Sequence, residues 1–508
     1  MPFLRKLFRP RIMCFFVSVS VCCAQCQEPP LLRAADLRSD AAILREAYGA
    51  LHPGLYRYNT KGQMDAAFAE LNQQLDHDET LQEAFLAFSE FTAKVRCGHT
   101  QANPFNQSKE LMQELFKGPT RVPYYFQWLN RRMIVTEDFS KQHAFPAGTE
   151  IVSINAIPVE NILTRLMTIA RADGANDSKR IAQLGVTGDS EYETFDIYYP
   201  LFFPLHARQF EFVVRRPGSR RRVRVTADAL TFEQRTDPMK RREEARKGGS
   251  DVLFESKQLA GGRMYIRMPT WALYDSKWDW KRWLNEKVDS AAEDHAPALI
   301  LDLRGNEGGN DVGNEILSHL IDEPMTLSPM RRLVRYRKVP DDLVPYLDTW
   351  DKCFRDWGAA AVDLPKPWPT APHEVPYLKL TRYDDDAAGD VIKPSGRRFR
   401  GKVLVLIDAT NSSATFQFAQ NLKSHHLGIL VGQPTGGSQR GINGGAFFFL
   451  HLPHSGIELD LPLIGTFPPE PMPDTGVTPD VLVTPTASDI AGGRDPELEA
   501  ALRQLGNH

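Results

Sequence analysis

The sequence predicts an α/β (α+β multidomain) protein, and three observations support this prediction. The chain has 508 residues, a length that suits about three domains. Hydrophobic residues make up 42% and charged residues 25%, the composition of a globular protein, which excludes a largely disordered or collagen-like chain. From about residue 251 onward, short apolar runs typical of buried strands alternate with helical patterns, as in α/β layer folds.

The N-terminus has the pattern of a secretory signal peptide over residues 1–24. Four basic side chains precede an apolar stretch, Ile12 to Val21, that is too short to span a bilayer. Cleavage is expected after Ala24, which predicts a periplasmic or secreted protein. A lipid anchor stays open as an alternative, because three cysteines lie near the cleavage site: Cys22, Cys23 and Cys26.

Charge and cysteine content limit the partners of the mature chain. The net charge is −3, so no overall field attracts nucleic acid. No segment after the leader is apolar enough to cross a membrane. Of six cysteines only Cys97 and Cys353 lie beyond the leader, and one disulfide between them is the expected maximum. Oligomeric state stays open.

Residues 28–108 are predicted to form an N-terminal helical domain. Apolar residues recur at helical spacing from Asp40 to Leu51, from Met64 to Leu75 and from Leu81 to Val95. The sequence His52-Pro53-Gly54 ends the first of these helices.

Residues 109–230 are predicted to form a second domain that is rich in strands. Gly148 to Val159 reads as a strand and a turn before a helix, and two further strands face each other across Pro217-Gly218. The charged residues 237–249, which end in glycine, are predicted to be a linker.

Residues 251–490 are predicted to form the α/β core. Its apolar strands are Arg263 to Met268, Ala298 to Leu303 and Lys402 to Ile407, and a helix is expected after each. Residues 326–398, rich in Pro, Arg, Asp and Trp, are predicted to be an insertion that decorates this core.

Two strand ends in the core carry residues suited to catalysis. Asn411 to Thr415 places serines at a strand-to-helix turn, where free N–H groups and the helix dipole favour negative charge. Serine and asparagine are also common N-caps, so a capping role stays open. Asp302 to Gly309 ends in two glycines that can approach a ligand closely and present N–H groups to an oxyanion. No metal-ligand set is apparent around His451 and His454.

Together these segments resemble the C-terminal-processing (tail-specific) and tricorn-like serine peptidases. The resemblance covers most of residues 34–485 and is firmest in 298–309 and 403–485. It rests on Asp302 to Gly309, Ser413-Ala414-Thr415, Gly432 to Ser438 and Gly476 to Asp480. It implies a crotonase-like ββα core, a PDZ-like domain in residues 109–230, Ser413 as nucleophile, and an oxyanion hole formed by amides of Gly308, Gly309 and Ala414.

The chain departs from the Ser-Lys branch of this family at two positions. These departures favour histidine as the catalytic base. The glycine turn has Ser438 where that branch has lysine, and Phe416 replaces an acid three residues after the nucleophile. Cys97 to Thr100 resembles the histidine motif of the tricorn-like branch, although Gly98 stands where that branch has serine. His99 is therefore the predicted base, since neutral imidazole accepts protons near pH 7. Asp474 is the expected triad acid, with Glu470 as the alternative.

The sequence thus predicts an exported serine endopeptidase that acts on peptide or protein substrates by a Ser-His mechanism, without a cofactor or metal. One alternative is a non-catalytic protein on the same fold that binds apolar ligands or peptides, which the run from Ala446 to Leu450 would suit. A coenzyme A enzyme of crotonase-like architecture is a third reading, which the predicted export disfavours.

Overall fold

The computed structural model describes residues 30–205, 207–247, 252–274, 276–327, 330–382 and 391–506. The predicted signal peptide, its cleavage site and the candidate lipid-anchor cysteines lie outside the described residues. Within the described ranges, no helix has the length and apolar character needed to cross a membrane.

The N-terminal part is mainly helical, and its helices lie where the sequence periodicity predicts them. Thr60 and Thr80 begin the second and third helices with reciprocal capping boxes, in which Gln63 and Glu83 bond back to the cap backbone. The elements are β1 (Leu31–Leu32), α1 (Ala34–Leu51), α2 (Lys61–Gln74), β2 (Glu79–Thr80), α3 (Leu81–Lys94) and α4 (Lys109–Phe116).

The next part is built on an antiparallel sheet with the strand order β3-β4-β5-β7-β8. The predicted hairpin around Pro217-Gly218 is present as the pair β7 and β8. The elements are β3 (Tyr124–Leu129), β4 (Arg132–Asp138), β5 (Glu150–Ile154), β6 (Ile157–Pro158), α5 (Val159–Leu166), α6 (Asp177–Gln183), α7 (Thr194–Phe202), β7 (Gln209–Arg215), β8 (Arg222–Asp228) and α8 (Phe232–Lys247).

Most of the predicted linker at 237–249 is helical, because helix α8 extends to Lys247. Thr231 and Gln234 form reciprocal bonds at the start of this helix. Arg235 anchors it through a buried ion pair with Asp196 (2.9 Å) and a bond to the Tyr124 carbonyl. A charged segment can be helical when buried residues at one end fix it to the fold, as Phe232, Arg235 and Thr236 do here.

The core begins with strands and helices in alternation, as predicted. The elements are β9 (Glu255–Leu259), β10 (Arg263–Arg267), α9 (Trp280–Glu293), β11 (Ala298–Asp302), α10 (Val312–Ser318), β12 (Met325–Thr326), β13 (Arg331–Val334), β14 (Leu347–Asp348), β15 (Ala361–Asp363), β16 (Leu378–Leu380), β17 (Val391–Ile392), β18 (Lys402–Ile407), α11 (Ser413–Ser424), β19 (Ile429–Gly432), β20 (Asn443–His451), β21 (Glu458–Phe467), β22 (Val481–Leu482), α12 (Ala487–Ala491) and α13 (Pro496–Arg503).

The core strands form two six-stranded sheets. One has the order β22-β19-β18-β11-β10-β9 and is parallel except for β9. The other has the order β14-β20-β21-β13-β16-β15 and is antiparallel. Four strands of the second sheet come from residues 326–398, so this segment builds a sheet instead of decorating one. Two of these strands pair with β20 and β21, which lie more than 100 residues away from β13. Local sequence patterns therefore do not predict the pairing.

One hydrophobic core joins α1 to α4, the β3-to-β8 sheet and the β20/β21 sheet. The parallel sheet buries both of its faces, one against α9 to α11 and the other against α13. Cys97 and Cys353 are free thiols, since Cys97 is buried beside Asn443 and Cys353 is exposed. The one disulfide that the sequence allowed between them is therefore not formed in this structure.

Candidate active site

The predicted nucleophile lies at a strained turn between β18 and α11. Ser412 is the extended N-cap residue and Ser413 is the first residue of α11. Ser413 has a φ of 52°, in the left-handed region that residues other than glycine rarely adopt. Such strain costs about 1–3 kcal/mol and is concentrated at functional sites. The geometry therefore sets Ser413 apart from an ordinary capping serine.

Side chains on the nucleophile turn bind the backbone of the loop that follows β11. Asn411 Nδ2 donates to the Asn306 carbonyl at 2.9 Å, and the Thr415 hydroxyl donates to the same carbonyl at 2.9 Å. Ser412 Oγ donates to the Glu307 carbonyl at 3.2 Å. These bonds fix the two strand ends in one arrangement.

The predicted oxyanion amides differ in availability. The Gly308 amide donates to Asn306 Oδ1 at 2.9 Å, which removes it from the predicted set. Within the described residues, the amides of Gly309 and Ala414 donate to no other group. Gly308 has a φ of 103°, and a Cβ there would lie 2.9 Å from the Ala414 nitrogen. Glycine is thus required for the two strand ends to approach.

His99 and Ser413 line the same cavity of about 370 Å³. No hydrogen bond joins them in this structure, and His99 Nδ1 is buried without a hydrogen-bond partner. The ring of Phe447 lies 5.9 Å from the imidazole, centre to centre. Catalytic hydrogen bonds are commonly long in enzymes without substrate, so the arrangement is compatible with a Ser-His pair.

The surroundings of His99 keep its imidazole neutral near pH 7. Burial is the largest influence and lowers the pKa of His99. Asp173 and Glu307 oppose this effect, while Arg171 and Lys179 lower the pKa further. A neutral imidazole is the form that can accept a proton from a serine.

The predicted triad acid, Asp474, is engaged elsewhere. Its carboxylate accepts from Ser438 Oγ at 3.0 Å and from the Ala175 amide at 3.1 Å. Neither it nor the exposed Glu470 bonds to His99. Both lie in the loop between β21 and β22, and contacts with the segment before α6 fix the position of Asp474.

Asp173 is the carboxylate beside the histidine motif, and the sequence reading missed it. Its Oδ1 accepts from the Gly98 amide at 2.9 Å, and its side chain is buried. A Cβ on Gly98 would lie 2.9 Å from Asp173 Oδ2. Asp173 therefore accounts for glycine at the position where the tricorn-like pattern has serine.

A buried lysine, also missed, reaches the cavity from α6. Lys179 Nζ donates to the Thr410 carbonyl at 2.7 Å and lies 3.3 Å from Glu307 Oε2. Burial lowers the pKa of Lys179. Burial alone would raise the pKa of Glu307, but Lys179 and Arg171 outweigh it and bring the pKa to about 2. No local pattern marks Lys179, although Glu307 lies inside the recognised glycine motif.

The two departures from the Ser-Lys pattern also have structural explanations. Phe416 is buried in the core, and a Cβ on Gly437 would lie 2.5 Å from its ring. Lys179 extends over the glycine turn, since a Cβ on Gly436 would lie 2.7 Å from Lys179 Cδ. A cation thus reaches this turn from α6, although Ser438 replaces the lysine of the turn itself.

A known protein family matches the part of the chain that contains these strand ends. Residues 263–483 match the sequence profile of Peptidase family S41. The chain carries a peptidase family S41 domain. It is a serine-type peptidase, and the resemblance to the tail-specific family is confirmed. A search of the curated proteins found no match. Within the described residues, no group of three or more His, Cys, Asp or Glu side chains could hold a metal ion.

Solved structures align with most of this chain. Mature CPAF complexed with lactacystin aligns with a TM-score of 0.61 at 16% identity, over 93% of this chain and 98% of that chain. A CPAF mutant aligns with a TM-score of 0.60 at 17% identity, over 93% and 96%. The photosystem II D1 C-terminal processing protease aligns with a TM-score of 0.42 at 14% identity, over 93% and 98%. The predicted mixed α/β class is confirmed, while the PDZ-like assignment of residues 109–230 stays a prediction.

Proposed function

We propose that this S41 peptidase is an exported endopeptidase that hydrolyses peptide bonds with Ser413 as nucleophile and His99 as base. The observation that carries the proposal is the strained Ser413 at the start of α11, in one cavity with His99 and beside the free amides of Gly309 and Ala414. A nucleophile, a base and oxyanion donors are the groups that acyl transfer requires.

The proposed reaction has two halves. Ser413 Oγ attacks the scissile carbonyl carbon while the His99 imidazole takes its proton, and the amides of Gly309 and Ala414 donate to the oxyanion. The tetrahedral intermediate expels the amine, which takes the proton from His99 and leaves an acyl ester on Ser413. Water then attacks the ester with His99 again as base, and the new carboxyl end departs as Ser413 regains its proton.

We assign stabilisation of the imidazolium to Asp173 instead of Asp474. Asp173 raises the pKa of His99, which means that it favours the protonated ring that forms during attack. It acts through space and through the Gly98 amide, without a hydrogen bond to the ring. Lys179 is a positioning residue in this proposal, because its bonds to Thr410 and Glu307 fix the two loops around Ser413.

A fluorophosphonate probe tests the nucleophile. Wild-type protein should be labelled at Ser413, and Ser413→Ala should lose both labelling and peptide hydrolysis. Ser424→Ala is the matched control, because Ser424 lies at the other end of α11 and its hydroxyl donates to the Asn421 carbonyl. Wild-type protein that resists labelling would count against hydrolysis and favour the alternative of a binding protein for apolar ligands.

The base is tested by comparing His99→Ala with Lys179→Met. Loss of the base should lower kcat/KM by about 10²- to 10⁴-fold. His99→Ala should show this loss across the whole pH range, whereas Lys179→Met should keep the histidine-dependent acid limb. If the acid limb disappeared in Lys179→Met and persisted in His99→Ala, the lysine would be the base.

Export is tested by expressing the full chain in a bacterial host, followed by cell fractionation and N-terminal sequencing. The proposal expects mature protein outside the cytoplasm that begins after Ala24. Retention of residues 1–24 on cytoplasmic protein would refute export and leave the peptidase assignment unchanged.

A further inference from the structure

An aromatic surface continues outward from the rim of the active-site cavity. We name it the aromatic shelf, and it consists of Phe447, Phe449 and Trp350. Phe447 lines the cavity, and its ring lies 5.9 Å from the His99 ring. The Trp350 ring lies 5.9 Å from Phe447 and 5.8 Å from Phe449, centre to centre.

The shelf follows from the alternation of side chains along β20. Ala446, Phe448 and Leu450 face the core and are fully buried. Phe447 and Phe449 lie on the opposite face and are half-buried. The apolar run that the sequence displays is thus divided between the core and this outer face.

The loop after β14 holds Trp350 over the strand. Thr349 Oγ1 donates to the Phe447 carbonyl at 3.0 Å, which fastens the loop to β20. The Trp350 ring lies edge-on to the buried Phe354 at 5.4 Å, with an interplanar angle of 88°. Trp350 is nevertheless 60% exposed. A large aromatic side chain that is fixed in place and still exposed is typical of binding surfaces.

We propose that the aromatic shelf binds a large apolar side chain of the peptide substrate. This inference rests on the proposed function, since the substrate must reach Ser413. The shelf is continuous with the active-site cavity, because Phe447 belongs to both, so a substrate that reaches Ser413 passes beside it. Two ring-to-ring steps of 5.9 Å separate His99 from Trp350. An extended peptide advances about 3.3 Å per residue, so the preferred side chain lies within about four residues of the scissile bond.

The test profiles cleavage of a mixed peptide library by mass spectrometry. Wild-type enzyme should favour Phe, Trp or Leu at one position within four residues of the cleaved bond. Trp350→Ala should lower kcat/KM about tenfold for a peptide with Phe at that position, and less than twofold for the same peptide with Ala. Leu482→Ala, at a residue that is 66% exposed on β22, is the control for loss of an exposed apolar side chain.

A binding experiment separates this inference from the proposed function. The inactive Ser413→Ala protein should bind the Phe peptide about tenfold more tightly than Ser413→Ala combined with Trp350→Ala. If wild-type protein cleaved no peptide and resisted the fluorophosphonate, the proposed function would fail. The binding difference would still show whether the aromatic shelf binds the Phe side chain.

Two outcomes would overturn the shelf. The first is a Trp350→Ala protein that cleaves peptides and reacts with the probe normally, and that has the same side-chain preference as wild type. The second is a wild-type dimer, measured by sedimentation equilibrium, that Trp350→Ala dissociates, because the shelf would then be covered by a second copy of the chain.

Discussion

Lys179 Nζ lies 3.3 Å from Glu307 Oε2 and donates to the Thr410 carbonyl at 2.7 Å. One buried side chain from α6 therefore contacts both the loop that leads to Ser413 and the loop after β11 that carries the proposed oxyanion amide of Gly309, here named the oxyanion loop. The Lys179 side chain is only 2% exposed, whereas that of Glu307 is 43% exposed. Water consequently screens the attraction between these two charges less than in a surface ion pair and more than in a fully buried one.

Replacing Lys179 by Met should destabilise the protein by about 1–3 kcal/mol, because Glu307 loses one of its two cationic partners and keeps Arg171 at 3.2 Å. Urea unfolding of both proteins measures this difference. Lys61→Met is the matched control, since Lys61 forms an exposed ion pair with Asp65 at 2.7 Å and its replacement should change the free energy of unfolding much less. Equal effects of the two substitutions would contradict the role given to the Lys179–Glu307 pair.

Opposite shifts of the acid limb are expected from two neighbours of His99. Activity requires neutral imidazole, so it is lost as the pH falls through the pKa of His99, which burial already places below 6.5. Asp173→Asn removes an influence that raises this pKa and should move the acid limb of kcat/KM to lower pH. Arg171→Gln removes one that lowers it and should move the limb to higher pH. Shifts in the same direction would refute this account.

Relief of strain at Ser413 should appear in stability. Its φ of 52° favours glycine, so Ser413→Gly should be more stable than Ser413→Ala by about 1 kcal/mol in urea unfolding. The same pair of substitutions at Gln417, inside α11, should give the reverse order, with glycine about 1 kcal/mol less stable than alanine. The same order at both positions would show that the turn is unstrained.

Glycine at position 309 should be essential for the oxyanion loop. A Cβ there would lie 2.2 Å from the Trp271 carbonyl carbon, so Gly309→Ala must displace backbone and should abolish fluorophosphonate labelling. Gly305 in the same loop has a φ of 85° and open space around it, so Gly305→Ala should cost about 1–2 kcal/mol and keep labelling. Labelling of Gly309→Ala at the wild-type rate would be incompatible with this site.

A buried carboxyl far from the cavity should make stability depend on pH. Burial raises the pKa of Glu193 from 4.5 to about 7, so the folded protein retains a proton that the unfolded chain releases. This stability is complete below pH 4.5 and is lost as the pH rises toward 7. Wild type should therefore lose about 1–3 kcal/mol more than Glu193→Gln between pH 4.5 and 7.5. An equal change in the free energy of unfolding of the two proteins between these pH values, measured in urea, would contradict the raised pKa of Glu193.

The turn that carries Ser413 could be predicted from sequence because its determinants are local. An apolar strand, a short polar segment and an amphipathic helix follow one another within about 25 residues, and the glycines after β11 mark a close approach by themselves. The helices of residues 34–94 could also be predicted, since hydrophobic periodicity and capping residues act within a few helical turns. The charged helix α8 was missed because the contacts that anchor it, such as Arg235 with Asp196 and with the Tyr124 carbonyl, come from distant segments.

The groups around His99 were decided by the tertiary structure. Asp173 and Lys179 lie more than 230 residues before Ser413, and no spacing rule connects them to it. The same holds for residues 326–398, because β13 pairs with β21 and β14 pairs with β20, which lie in a distant part of the chain. Backbone geometry depends mainly on neighbouring residues, so the turn at Ser413 and the glycines after β11 could be predicted from the chain alone. Which charged and aromatic side chains surround that turn depends on burial between distant segments, and only the folded chain specifies it.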